Sequence, residues 1–216
     1  MADQDNSGTA TSKRKNPGTK QAASKEKKQA TEQQDGRLLI LSGPPGAGKS
    51  TVAQKLVEIS PSRTVYIEGD TFWQFIAKRG DNPVPRQTTS RLVIKSIMLA
   101  ALPFIRGGYF VIVDFTIGPW HLGLIPEPLK PVTIDYVVLC PSKQVCAERE
   151  GMKPNGGVGN YADAYHDLYK AFSNLGEYER NAIKDDEADA KAIAERIWGL
   201  VHSGSCRLDL SKMGSD

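Results

Sequence analysis

Nine residues, Gly43-Pro44-Pro45-Gly46-Ala47-Gly48-Lys49-Ser50-Thr51, constrain this chain more than any others. They match G-x-x-x-x-G-K-[ST], a loop pattern that has meaning only between a strand and a helix. Both flanks fit: residues 38–41 are an apolar run and residues 52–59 are amphipathic. Glycines let consecutive backbone N–H groups curl around a phosphate with no Cβ in the way. The following helix points its positive end at the same anion. Lys49 has the reach for β- and γ-phosphates, and the Ser50 hydroxyl is a ligand for Mg²⁺. The motif predicts a nucleoside triphosphate site and a fold that begins strand, loop, helix.

The 216 residues fit one domain with tails, long enough for a real core. A formal charge of +3 demands no nucleic acid, and no basic stripe with interleaved aromatics is seen; no nucleic-acid partner is expected. Cys140, Cys146 and Cys206 form no CxxC pair and no ligand set with the three histidines, so buried thiols in a reducing cytosol are expected. No apolar run reaches membrane-spanning length and the N-terminus lacks a signal-peptide core. A soluble, cytoplasmic protein with no membrane partner is the expectation.

Residues 1–35 hold almost no large apolar side chain and bury too little surface to offset their ordering entropy; disorder is expected. Lys13-Arg14-Lys15 and Lys27-Lys28 read as part of a solvated tail, with contact to nucleic acid or an acidic membrane as the alternative. Residues 36–202 read as the folded domain and 203–216 as a second tail. Strands are predicted at 37–42 (apolar throughout, hence central), 64–68, 109–114, 132–139 and 180–184. Helices are predicted at 49–60 and 71–78. A long one is capped by Thr88 or Thr89 and kinked or ended by Pro103. Others run from Pro141 to near Gly151, from a cap at Asn160, and over 188–201. Residues 80–85, 115–131 and 152–159 read as loops. Alternating strands and helices imply an α/β fold with a parallel sheet. Ligands in such folds sit beyond the carboxyl ends of the strands, where the phosphate loop, Asp70 and Asp114 all fall.

Several nucleotide-dependent classes are excluded by what is missing. No N-K-x-D guanine motif is present, and Asp114 is followed by Phe115 where a water-polarising Glu would mark a helicase or AAA+ motor. An ABC ATPase needs a signature loop and a longer chain. A small kinase remains. "ILSGPPGAGKSTVAQKL", "YIEGDTFW", "FVIVDFT" and "VVLCPSKQVCAERE", in that order and spacing, resemble the small-molecule P-loop kinases with their AAA-type ATP-binding domain: shikimate kinase, gluconate kinase, chloramphenicol phosphotransferase and, more distantly, the zeta-toxin kinases. The resemblance covers residues 37–201 and implies the P-loop NTPase fold, a central parallel five-stranded sheet flanked by helices.

It further implies that the 43–51 loop, with Gly43, Gly46, Gly48, Lys49, Ser50 and Thr51 foremost and Pro44, Pro45 and Ala47 between them, holds ATP and Mg²⁺. Asp70 falls where these kinases place the carboxylate that takes the acceptor's proton; capping the helix that follows is the alternative. Asp114 would hold Mg²⁺ directly or through water, or else be an ordinary strand-end carboxylate. Arg149 would be the lid arginine meeting charge on the transferred group. This lid offers only Arg149 and Lys153, fewer arginines than the group often carries, and a solvated or ion-paired Arg149 is the alternative. Asp185-Asp186 falls near the expected adenine loop. Phe72, Trp73, Arg79, Arg91, Trp120 and His121 lie on segments expected beside the acceptor, with ordinary core packing as the alternative for the aromatics.

The leading expectation is an ATP-dependent phosphotransferase acting on a hydroxyl of a small molecule. Two alternatives stay open: an ATP-binding or ATP-hydrolysing switch that docks a partner, and a toxin-type kinase of a nucleotide sugar.

Overall fold

The computed structural model describes residues 36–78, 80, 84–151 and 162–212. The N-terminal tail at 1–35, Arg79, Lys153, the glycine-rich loop at 152–159 and the Asn160 cap lie outside the described residues. Five parallel strands form one sheet: β1 (Arg37–Ser42), β2 (Thr64–Glu68), β3 (Phe110–Asp114), β4 (Thr133–Leu139) and β5 (Ala182–Ile183). Their order is β2-β3-β1-β4-β5. The helices are α1 (Lys49–Ile59), α2 (Arg86–Arg106), α3 (Lys143–Gly151), α4 (Ala162–Phe172) and α5 (Ala190–Ser203).

β1 is central because it is apolar on both faces, and its alternation divides the core in two. Leu38 and Ile40 join Val111, Val113 and the apolar side of α2, with Val93, Ile94, Ile97, Met98 and Ala101. Leu39 and Leu41 join Ile112 and helices α1 and α5 through Val52, Ala53, Leu56, Ile193, Ala194 and Ile197. The sheet is thus covered on both faces, as the sequence predicts.

Several expectations change in detail. Residues 71–78, predicted as a helix, form a 3-10 turn, Gly69–Phe75; Thr71-Phe72-Trp73 is a β-branched and aromatic run with little helical preference. Neither Thr88 nor Thr89 caps the long helix. Pro85 stands at its N-cap, and Thr89 lies in the first turn with its backbone N–H on the Pro85 carbonyl. Pro103 does not end that helix, which continues to Arg106. By length and composition α2 is apolar enough to cross a membrane, contrary to the expectation that no run reaches that length, but here its apolar side packs on the sheet. The predicted loop at 115–131 is packed: it holds two 3-10 turns, Pro119–Leu124 and Glu127–Leu129, and buries Phe115, Ile117, Leu122, Leu124, Ile125 and Leu129. Asp189 caps α5 by accepting from the Ala192 N–H at 2.8 Å.

The segment after Ser203, read as a tail, folds back along β4. The Tyr136 N–H donates to the Cys206 carbonyl and the Leu208 N–H to the Ile134 carbonyl, an antiparallel bridge centred on Asp135 and Arg207. Beneath it, fully buried Asp135 pairs with Arg37, whose guanidinium also donates to the Val201 carbonyl.

Candidate active site

β1 ends in Ser42, and the chain turns into the 43–48 loop. The buried Ser42 hydroxyl donates to the Ile117 carbonyl at 2.7 Å and accepts from the Ile117 N–H at 2.9 Å. The Thr116 hydroxyl donates to the Gly43 carbonyl at 3.2 Å. The loop is therefore tied at its base to the segment leaving β3. Gly46 and Gly48 adopt φ of 77° and 90°, left-handed conformations in which other residues are strained. A Cβ at Gly46 would stand 2.1 Å from the Cys146 carbonyl oxygen of α3. Only a glycine allows the loop and α3 to approach so closely.

That contact sets Arg149, one turn further along α3. Its Nη1 lies 3.6 Å from where a Cβ on Gly48 would be. The side chain is half-buried and makes no ion pair with any described residue. The Lys49 ammonium bends back onto the Gly43 and Pro44 carbonyls at 3.2 and 3.1 Å. Gly48 stands at the N-cap of α1, and neither a capping side chain nor an acidic residue occupies the first turn. Two cations and the first N–H groups of an 11-residue helix thus meet at one loop, a setting for an anion.

Asp114 lies beside Leu41 on one side and Glu68 on the other in the sheet register. It is 3% exposed, and its Oδ2 accepts from the Tyr66 hydroxyl at 2.8 Å. The Ser50 side chain lies close to the same hydroxyl. Burial first, then the Asp114 hydrogen bond and charge, push the Tyr66 pKa far above its ordinary value, so the phenol keeps its proton. Asp70 follows two residues beyond the end of β2. It is exposed, forms no cap on the 3-10 turn, and pairs with no described cation. The capping alternative is therefore not what this geometry adopts.

Of the residues expected beside an acceptor, Phe72 and Trp73 are half-buried against the α2 side of the core. Phe72 packs on Phe75 with ring centroids 5.0 Å apart, and the Arg86 guanidinium stands 5.9 Å from the Trp73 ring. Trp120, 48% exposed, lies between His121 at 5.5 Å and Phe172 at 5.2 Å. The His121 Nδ1 is buried with no partner among the described residues. Burial, with the Arg91 charge adding to it, lowers the pKa of His121 and favours its neutral ring. The turns carrying Trp73 and His121 both pack on α2, which supplies Arg86 and Arg91. Asp186 is spoken for: its carboxylate accepts from the Ser142 N–H at 2.6 Å, just ahead of α3. The three cysteines are free and buried; burial raises Cys146 to about 11 and Cys206 to about 12, leaving protonated, unreactive thiols.

Sequence reasoning missed Tyr66 and Arg86. The first was legible in part. Alternation puts Tyr66 opposite Ile112 and on the same face as Asp114, but only once β2 is known to lie against β3.

A family described as AAA domain matches residues 38–164. No curated protein matches the chain. Among solved structures, the tunicamycin resistance protein of Deinococcus radiodurans is 19% identical over 77% of this chain and 95% of its own, with a TM-score of 0.60. The APS kinase CysC of Mycobacterium tuberculosis, solved with AMPPNP and APS, is 18% identical over 78% and 98%, with a TM-score of 0.57. The shikimate kinase of Acinetobacter baumannii, solved with shikimate, is 20% identical over 81% and 98%, with a TM-score of 0.53. At these identities the likeness is one of fold, and the shared fold is that of the P-loop kinases.

Proposed function

Because this chain belongs to the AAA domain family and has the P-loop kinase fold, we propose that it is a Mg²⁺-dependent phosphotransferase that moves the γ-phosphoryl group of ATP to a hydroxyl of a small molecule. The observation that carries the reading is the approach of the Arg149 guanidinium to Gly48, beside Lys49, at a helix start whose first turn holds no acidic residue. Phosphoryl transfer needs positioning and charge stabilisation more than covalent chemistry. Lys49 would leave its own loop carbonyls for the β- and γ-phosphates, while Arg149 meets the charge on the transferred group from the α3 side.

Asp70 would orient the acceptor hydroxyl and take its proton as the O–P bond forms. β3 separates β2 from β1, so the Asp70 strand runs about 10 Å from the loop strand, two strand spacings. That gap accommodates a γ-phosphate and an acceptor oxygen. Ser50 and Asp114 supply hard oxygen donors of the kind Mg²⁺ prefers, and would hold it together with phosphate oxygens and water. Mg²⁺ would neutralise charge between the β- and γ-phosphates. The acceptor would lie against Phe72, Trp73, Arg91, Trp120 and His121, and the buried thiols suit work in a reducing cytoplasm.

The test is ATP consumption against a library of hydroxylated acceptors, sugars, antibiotics and nucleotide sugars included, with wild type beside Asp70→Asn. An acceptor-stimulated rate abolished by the substitution is expected. If no acceptor stimulates turnover, and the variant binds and hydrolyses ATP like wild type, the kinase reading gives way to a nucleotide-dependent switch.

A further inference from the structure

A hydroxyl that ligates a metal must present a lone pair, so its proton has to point elsewhere. Close to Ser50 stands the Tyr66 hydroxyl, which donates to Asp114 Oδ2 at 2.8 Å. The three groups follow one another, Ser50, Tyr66, Asp114, and the direction of the Tyr66–Asp114 bond decides which way a Ser50 proton can be received. Asp114 accepts only, so Tyr66 gives its proton to Asp114 and turns its lone pairs toward Ser50. Ser50 can then donate to Tyr66 and keep its own lone pairs for a cation.

The architecture makes this relay. Tyr66 is opposite Ile112 in the parallel register, so it shares a face with Ile112 and, two residues on, with Asp114. That face is the one covered by α1, whose first turn carries Ser50. A valine or isoleucine at position 66 would suit the strand equally well, but would leave a 3% exposed carboxylate without its donor.

We infer that Tyr66 is a positioning residue for the metal, carrying the pull of Asp114 to the Ser50 hydroxyl so that Ser50 faces the cation lone-pair first. The inference rests on the ATP and Mg²⁺ reading above. Asp114 then acts through both of its oxygens: one orients Tyr66, while the other remains for the metal's water.

The experiment is a titration of the full chain with a fluorescent ATP analogue, at graded Mg²⁺ and in EDTA, with wild type, Tyr66→Phe, Asp114→Asn and the double variant. Tyr66→Phe keeps the ring and removes only the hydroxyl. Its half-saturating Mg²⁺ concentration should rise roughly threefold to tenfold, while affinity in EDTA changes by less than about twofold, the pattern of one lost hydrogen bond confined to the metal's side of the site. The double variant should shift less than the two single shifts multiplied together, because both act through one chain of bonds. An unchanged Mg²⁺ dependence in Tyr66→Phe, an equal loss of affinity in EDTA, or fully multiplicative single effects would each overturn the inference. Asp114→Asn reads the same relay without touching the Tyr66 ring, so poor folding of one variant does not shield the idea. If wild type binds no nucleotide with or without Mg²⁺, the functional reading falls and takes this inference with it; if wild type shows Mg²⁺-dependent binding and Tyr66→Phe matches it, only the inference fails.

Discussion

Gly46→Ala tests whether α3 clamps the phosphate loop. The added Cβ would stand 2.1 Å from the Cys146 carbonyl oxygen and 2.8 Å from its carbon, both backbone atoms with no side-chain freedom to yield. Cβ–oxygen contacts do not close below 3.0 Å, so the carbonyl has to retreat by about 0.9 Å or the loop has to open by as much. The left-handed φ of 77° adds about 1–2 kcal/mol of strain. Displacement by about 1 Å disturbs both the loop N–H groups and Arg149, which follows Cys146 on the same helix. Each charge-assisted hydrogen bond to phosphate lost in this way weakens nucleotide binding by roughly tenfold to a hundredfold. The strain alone should lower the melting temperature by roughly 2–8 °C for a domain of this size. Fluorescent-nucleotide titration and a thermal melt read the two effects. Gly199→Ala is the control of opposite sign: this glycine is exposed inside α5 with nothing within 4 Å of its would-be Cβ, so alanine should stabilise by about 1 kcal/mol and leave nucleotide binding untouched. A Gly46→Ala protein that binds nucleotide and melts like wild type would refute the clamp.

Three further outcomes are expected. Arg37→Met leaves Asp135 fully buried without its cation and removes the donor to the Val201 carbonyl; urea unfolding should show a loss of about 3–5 kcal/mol. Asp189→Ala removes the cap on α5 and should lower stability by about 1 kcal/mol, seen as a melting temperature roughly 2–4 °C lower. His121 has a pKa below its ordinary 6.5, so the folded state binds fewer protons there than the unfolded state. Its contribution to stability is complete above 6.5 and declines as pH falls from there toward the folded pKa, and His121→Gln should flatten that part of a stability–pH curve measured by thermal melts.

What was legible from sequence was local. The phosphate loop writes its own conformation in closely spaced glycines, Gly43, Gly46 and Gly48, and β1 advertises its central place by an unbroken apolar run. Features created by strand neighbours were hidden. Tyr66 reads as an ordinary β-former until β2 lies against β3, and only then does its hydroxyl face Asp114. The Arg37–Asp135 pair joins positions 98 apart in sequence, and no spacing rule announces it. The pairing of Cys206 and Leu208 with β4 is likewise nonlocal: one bridge does not need the alternating run that marks a full strand. The helix expected over 71–78 is instead a 3-10 turn, Gly69–Phe75, because its β-branched and aromatic residues give little intrinsic helical preference. Asp70 and Arg149 were named through family resemblance. The structure places the Asp70 carboxylate, exposed, two residues beyond β2 and the Arg149 guanidinium beside Gly48.

The outer edge of β4 is shared by two segments. β5 pairs with its upper residues in parallel, and the stretch around Arg207 pairs with its lower ones in the opposite sense. Until both have docked, β4 presents unpaired N–H and C=O groups on an apolar strand, a template for any other nascent chain. Cys206 follows Asp135 by 71 residues, which a ribosome adding roughly 5–20 residues per second takes several seconds to supply. During synthesis, then, the site-forming half of the sheet can assemble well before its flank is sealed, and in that interval the growing chain is most open to aggregation and to chaperone capture.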